Sequence, residues 1–298
     1  MQQRARTRPA LVCAALLAFA GACSSRDTAA PVATIQLTSS RTTAAIGSPI
    51  DFTFRFEVAP DETIAADYKV FVHMLDADER ILWTDDHDPP VPTSEWTPGQ
   101  IVEYTRTRFV PSSASVGDVT ILAGLYGEDG RLPLMGPDEA SADGNSRAYR
   151  VGGLQLVPET ENIFVIYRTG WHPEEFSEES PEGLSWMWTQ RSAVLSVINP
   201  RRDATLYLEY DSRPDAFADA PQQVTVHAGD QLIERFPVDH TGPRLKRIPI
   251  PSEALGTGEM AEIRLDVDRT FTPASMPAGG KDDRELGIRV YHAFLESR

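Results

Sequence analysis

Residues 50–58 read Ile50-Asp51-Phe52-Thr53-Phe54-Arg55-Phe56-Glu57-Val58. Phe52, Phe54, Phe56 and Val58 alternate with Asp51, Thr53, Arg55 and Glu57, a period of two that puts every apolar side chain on one face of an extended strand. A helix would scatter the same residues around its circumference. One apolar and one polar face is what a strand shows when its sheet is packed on one side and wetted on the other.

Shorter runs of the same kind flank this stretch at 34–38, 69–75, 81–84, 102–109, 119–126 and 148–156. Turn formers separate them: Ala59-Pro60-Asp61, Asp76-Ala77-Asp78, Thr97-Pro98-Gly99 and Glu128-Asp129-Gly130. No 12-residue amphipathic pattern competes. Seven short strands at regular spacing predict an antiparallel immunoglobulin-like β-sandwich over residues 33–157, without the cysteine pair of a true immunoglobulin domain. Beyond a connector at 156–161, further runs fall at 163–167, 184–188, 193–198, 205–210, 224–227, 232–236, 245–250, 261–267 and 286–294. Eight or nine strands without helices predict a second antiparallel sandwich, jelly-roll-like, over 160–298. The fold class is all-β, and a chain of 298 residues suits two domains.

Ahead of both sandwiches stands a different kind of segment. Arg4, Arg6 and Arg8 precede an apolar run from Ala10 to Ala20, too short to span a bilayer as a helix and of the length of a cleaved signal peptide. The run ends in Ala20-Gly21-Ala22-Cys23, followed by polar residues. This resembles the lipobox of bacterial lipoproteins, although Ala20 stands where that family most often has Leu. The resemblance implies a signal peptide over 1–22, lipidation of Cys23 and a tether over 23–32. Ser24 offers no aspartate-type inner-membrane retention signal, so an outer-membrane or cell-surface destination is expected.

The chain holds two cysteines, Cys13 inside the apolar run and Cys23. A processed chain would therefore have no thiol left for a disulfide, a thiolate metal site or a cysteine nucleophile. The formal charge of −16 disfavours nucleic acid and anionic headgroups by Coulomb repulsion. The chain has no Gly-x-Ser-x-Gly elbow, His-Glu-x-x-His pair, phosphate loop or dinucleotide fingerprint. The expectation is a non-enzyme without cofactor or metal.

Chemistry-bearing residues concentrate early in the second half. Trp171 and His172 follow Gly170, and Trp186 and Trp188 stand two apart in a strand, hence on one face, with Arg191 close behind. Two exposed rings on one face would form a flat platform for a sugar ring, with a nearby carboxylate or Arg191 bonding hydroxyls. The competing expectation is that the tryptophans pack as core. In the first half, Asp85-Asp86-His87-Asp88 could hold a cation, but strand alternation lets only every second member converge, and a solvated loop ahead of Pro89-Pro90 is expected.

Two blocks carry further resemblances. Val70-Phe71-Val72-His73-Met74-Leu75-Asp76, Asp85-Asp86, the Trp96-Thr97-Pro98-Gly99 turn and Ala123-Gly124-Leu125-Tyr126 resemble sandwich domains attached to bacterial membrane glycosyltransferases and other envelope proteins. That resemblance implies an accessory module and brings no catalytic residue. Gly170-Trp171, Trp186-Met187-Trp188-Thr189, Ala193-Val194-Leu195 and Asp283-Arg284-Glu285-Leu286-Gly287-Ile288 resemble a C-terminal module of bacterial polysaccharide-related proteins, with Ser185 where an arginine is usual. Arg284 and Glu285 are expected to act as an ion pair or loop anchor. Together these readings predict a non-catalytic, lipid-anchored envelope protein that binds a glycan or, alternatively, an envelope protein partner.

Overall fold

A computed structural model of the chain describes residues 29–139, 146–177, 184–217, 219–277 and 280–298. The signal segment and Cys23 lie outside these residues. The first half contributes β1 (Ala33–Ser39), β2 (Thr43–Ala45), β3 (Pro49–Val58), β4 (Lys69–Leu75), β5 (Ile81–Thr84), β6 (Ile101–Phe109), β7 (Gly117–Gly127), β8 (Gly130–Arg131), β9 (Leu134–Met135), β10 (Asp138–Glu139) and β11 (Tyr149–Val157). The second contributes β12 (Val165–Tyr167), β13 (Glu175–Phe176), β14 (Ser185–Trp188), β15 (Ser192–Ile198), β16 (Ala204–Asp211), β17 (Gln222–Ala228), β18 (Gln231–Val238), β19 (Arg244–Ile250), β20 (Met260–Val267) and β21 (Arg289–Ser297). The one α-helix among the described residues is the single turn Ser252–Leu255, and no described helix is long and apolar enough to cross a membrane.

In the first half, β6-β3-β1-β9 faces β10-β11-β7-β4-β5. The sheet-switching order of β1, β3, β4, β6, β7 and β11 is that of immunoglobulin-like sandwiches. The sequence predicted an antiparallel sandwich, but two of its pairings are parallel. After β1 the chain crosses between sheets, so β2 runs parallel to β11, and β1 runs parallel to β9. Phe52, Phe54, Phe56 and Val58 point inward as their alternation requires and meet Val70, Val72 and Met74 and Ile121, Ala123 and Leu125 in one core. Burying one such phenylalanine contributes about 2–3 kcal/mol. Trp96 caps the core, its ring 5.1 Å from Phe56 and its indole N–H donated to the Val91 carbonyl.

The second half forms β12-β15-β20-β17-β18 and β13-β14-β21-β16-β19. The eight strands β14 to β21 pair as a jelly roll does, with β12 and β13 added at the edges. Leu206, Leu208 and Tyr210 on β16 face Leu195 and Val197, Val224 and Val226, and Ile263 and Leu265 across the interior.

All pairing stays within each half; the two sandwiches touch through outer faces. Arg247 of β19 pairs with Asp51 of β3 and donates to Thr107 Oγ1 of β6 at 2.7 Å. Arg41 pairs with Glu296, and the Phe109 ring stacks on His292 at 4.5 Å and 9°. Ala33 pairs with Val58, at the opposite end of β3 from Pro49, whose partner is Phe109. At about 3.3 Å per residue, ten residues of β3 set the entry of the chain roughly 30 Å from that junction.

Candidate functional site

The five residues singled out in the second half gather at one end of the jelly roll, because three short backbone links draw their segments together. Trp171 bridges Thr189, the His172 amide donates to the Trp188 carbonyl, and Gln190 donates to Gly170. Gly170 is required there: at φ +81° a Cβ would stand 1.8 Å from the Ser192 carbonyl oxygen.

Proximity does not make a platform. Trp188 is buried at 6% exposure, edge-on to Phe271 at 5.5 Å within a small core that also holds Phe217 and Leu286. Trp171 is half-buried, edge-on to Tyr167 at 4.8 Å, and its indole N–H donates to the Val194 carbonyl. Burial pushes the Tyr167 phenol up to about 12. His172 donates from Nε2 to the Glu285 carbonyl. Arg191 donates to the Asp268 carbonyl at 2.8 Å and lies 3.7 Å from Glu285. The expected flat pair of exposed rings on Trp186 and Trp188 is therefore corrected: the two share a face, but a charged group occupies it.

That group is Arg289. It stands opposite both Trp188 and Asp211 in the ladders, so all three project from the same outer face. Its guanidinium lies 5.4 Å from the Trp186 ring, 5.3 Å from Trp188 and 5.6 Å from Tyr291. The ring faces carry negative quadrupole and attract the cation. A bulge between Glu209 and Tyr210 gives β21 one extra residue, Tyr291, whose hydroxyl donates to Asp211 Oδ2 at 3.2 Å.

Beside this cluster the half-buried Trp186 keeps a more open edge. Its Nε1 donates to Glu175 Oε2 at 3.1 Å, and Glu175 Oε1 sits 2.7 Å from Arg284 Nη2. Arg284 also forks onto Asp282, holding that carboxyl down to about 2, and the two carboxylates in turn raise the guanidinium. Arg284 is thus a loop anchor, as expected, but its partners are Asp282 and Glu175. Glu285 turns instead to Thr270 and Arg191. Glu175, Arg284 and Asp282 each keep about a third of their side-chain surface in solvent. An aromatic ring rimmed by such groups offers stacking area together with oriented donors and acceptors.

Asp211, Arg289 and Tyr291 were not singled out in the sequence. The only signal of Asp211 and Arg289 there is a charge at a strand end, which looks like any strand terminus, and Tyr291 has none.

In the first sandwich the expected solvated loop at Asp85–Asp88 holds for Asp86 and Asp88 and is corrected for Asp85 and His87. Asp85 and His87 are buried, while Asp86 and Asp88 face out. Asp85 accepts from Arg106 at 2.8 and 3.1 Å and pairs with Arg108, which closes the sandwich between its sheets. His87 Nδ1 faces the Asp85 carbonyl at 2.7 Å and so carries the proton, leaving Nε2 to accept from the Tyr104 hydroxyl at 2.8 Å. Among the described residues no group of three or more His, Cys, Asp or Glu is placed to hold a metal ion.

No family model matches the chain, and no match is found among curated proteins. Solved structures share only distant likeness. Pseudomonas fluorescens alkylpurine DNA glycosylase AlkC matches at 10% identity over 43% of this chain and 31% of its own, TM-score 0.26. The CBM51-2 and INT domains of Clostridium perfringens ZmpB match at 10% identity over 61% and 38%, TM-score 0.24. A calcium-binding mutant of Bacteroides uniformis beta-glucuronidase 2 matches at 12% identity over 86% and 28%, TM-score 0.30. The chain spans about a third of the length of these proteins. At such scores the likenesses carry no argument about what this chain does.

Proposed function

We propose that this chain is a non-catalytic, lipid-anchored envelope protein whose second sandwich binds a glycan at its loop-bearing end. The observation that carries this reading is the arrangement at Trp186: a half-buried ring, its indole edge fixed by Glu175, with Arg284 and Asp282 forked beside it and partly in water. A sugar's C–H face can lie on such a ring while vicinal hydroxyls meet the charged fork. Arg289 already holds the rings of the cluster, so the ligand would use the edge toward Glu175 rather than the whole aromatic face. Anchorage through Cys23 fits the position of Ala33, which starts β1 at the pole remote from the second sandwich, so an anchor ahead of it would present that sandwich outward. A glycan microarray read with the purified protein tests the binding. Trp186→Ala and Arg284→Ala are expected to lose at least tenfold in affinity; equal binding by all three proteins would overturn the reading. Palmitate incorporation that survives Cys23→Ala would overturn the anchor.

A second reading, docking of an envelope protein partner, is favoured by one feature. Ile198 stands opposite Met260 in the β15–β20 ladder, and Phe164, one residue outside the Val165–Val197 pair, falls in line with them. All three are exposed, at 63%, 57% and 43% for Phe164, Ile198 and Met260. Pro237 in β18 and Pro249 in β19 blunt two sheet edges, so such a partner would meet a face and not extend a sheet. In-cell cross-linking from Ile198 separates the readings: a defined protein adduct with no glycan affinity would favour this one.

A further inference from the structure

The outer face that carries Arg289 and Trp186 does not stop at them. Directly opposed residues set three successive rows on it: Trp188–Arg289–Asp211, then His292–Glu209–Leu245, then Phe294–Tyr207–Arg247. Loop residues Phe217, Phe271 and Leu286 roof the first row. The first sandwich roofs the third: Arg247 meets Asp51 and Thr107, and Glu296 meets Arg41 and accepts from the Tyr207 hydroxyl at 2.8 Å. Phe109 lies on His292 in the middle row and edge-on to Phe294 at 6.5 Å.

The two roofs differ in kind. The loop roof is apolar and buried. The roof made by the first sandwich is mixed: the Phe109 ring covers His292 and abuts Phe294, while the side chains of its two ion pairs remain 26–43% exposed. Exposed pairs of this sort bind weakly and are screened by salt, and relative motion of domains is the default unless their interface is large and hydrophobic. The covalent link is short, running from Val157 to Asn162, with one side-chain hydrogen bond across it from Asn162 to the Ile46 carbonyl at 2.7 Å.

We infer that the first sandwich is a releasable lid, hinged at residues 158–162 and latched by Arg247–Asp51 and Arg41–Glu296, whose opening uncovers the Phe294–Tyr207–Arg247 row and the ring face of His292 that Phe109 covers, the rest of His292 being exposed already. These rows extend the Trp186 site along the same face, by about 6.6 Å for each row down a strand. Closed, the protein offers the margin of Trp186 and the exposed part of His292; open, it adds the Phe294–Tyr207 row and so a longer aromatic and carboxylate track for a glycan chain. The lid stands by itself, while the lengthened binding track rests on the glycan reading.

Distances between spin labels placed at Val116→Cys and Leu232→Cys, both exposed positions in separate sandwiches, test it by pulsed electron resonance. The latched protein is expected to give one narrow distribution. Arg41→Ala with Arg247→Ala is expected to broaden it toward a second population, as is Arg41→Ala with Arg247→Asp, and adding Asp51→Arg to the latter is expected to restore the narrow one. A narrow, unshifted distribution in the alanine pair, with native circular dichroism, would overturn the lid. For glycan chains bound by the parent protein, the alanine pair is expected to gain about tenfold in affinity. Broadened distances with unchanged affinity would overturn the lengthened track. Broadened distances with no glycan bound by either protein would overturn the glycan reading and leave the lid standing.

Discussion

Asp211 is sealed from solvent and gives both carboxylate oxygens to Arg289, one at 2.6 Å from the guanidinium Nε. This pair decides what the aromatic face of the second sandwich is for. Trp186, Trp188 and Tyr291 surround the cation, Asp211 neutralises it from beneath, and the Gly242 amide adds a further bond to Asp211 at 2.7 Å. The face is thus filled by a charge the protein supplies itself.

Breaking that pair from one side strands a charge in the cluster. Asp211→Ala is expected to cost about 3–5 kcal/mol in urea unfolding, as for other buried pairs that lose one partner. Asp211→Leu with Arg289→Met together should recover most of the loss, since neither charge then remains buried. A single-variant loss under about 1 kcal/mol would mean that water reaches the guanidinium freely.

Gly170 is the most sharply constrained turn near the site. With φ +81° and a Cβ position overlapping the Ser192 backbone, Gly170→Ala is expected to cost at least about 2 kcal/mol. The loss should appear with altered near-ultraviolet circular dichroism from the adjacent Trp171. Gly99→Ala, at φ +76° with open space around it, carries the backbone penalty alone and should cost less. Equal losses in the two would show that the close approach to Ser192 relaxes at little cost.

Much of the fold was legible because alternation is a local property. The Phe52–Val58 face and the inward Leu206, Leu208 and Tyr210 can be read from neighbours in sequence. What could not be read depends on partners far along the chain. Nothing near Trp186 shows that Arg289, some hundred residues later, will occupy its face. Asp85 looks solvated until β6 brings Arg106 and Arg108 across from the other sheet. The parallel β2–β11 pairing likewise follows from a crossover with no pattern of its own.

Acidity should weaken the first sandwich before the carboxylates titrate. Burial pushes the His87 imidazole below its usual 6.5, and burial lowers His73 as well. The unfolded chain then takes up protons near pH 6.5 that the folded chain refuses, so stability is full above that value and is lost as pH falls through it. The urea midpoint is expected to drop between pH 7.5 and 5, with a shallower drop in His87→Gln. The carboxyl of Asp282, held at about 2 chiefly by the Arg284 fork, acts lower: its contribution persists above 3.8 and is lost toward 2. A midpoint that stays flat from pH 7.5 to 5 would contradict the buried neutral imidazole.

The two tryptophans of β14 should separate structure from binding. Trp188 is packed on all sides by Phe271, Phe217, Leu286 and the Arg289 guanidinium, so Trp188→Ala leaves a large cavity and is expected to cost about 3–5 kcal/mol. Trp186 is half-buried and shares its cation with two other rings, so Trp186→Ala should cost well under that, about 1–2 kcal/mol, as part of its area is already wet. Glycan affinity should fall in the opposite order. Trp186→Phe keeps ring area but loses the N–H that Glu175 accepts, and should retain stability while binding is weakened. Unfolding curves and binding isotherms on the three variants give both axes. If Trp186→Ala destabilises as much as Trp188→Ala and Trp186→Phe binds like the parent, the ring is core and the Glu175 edge takes no part in recognition.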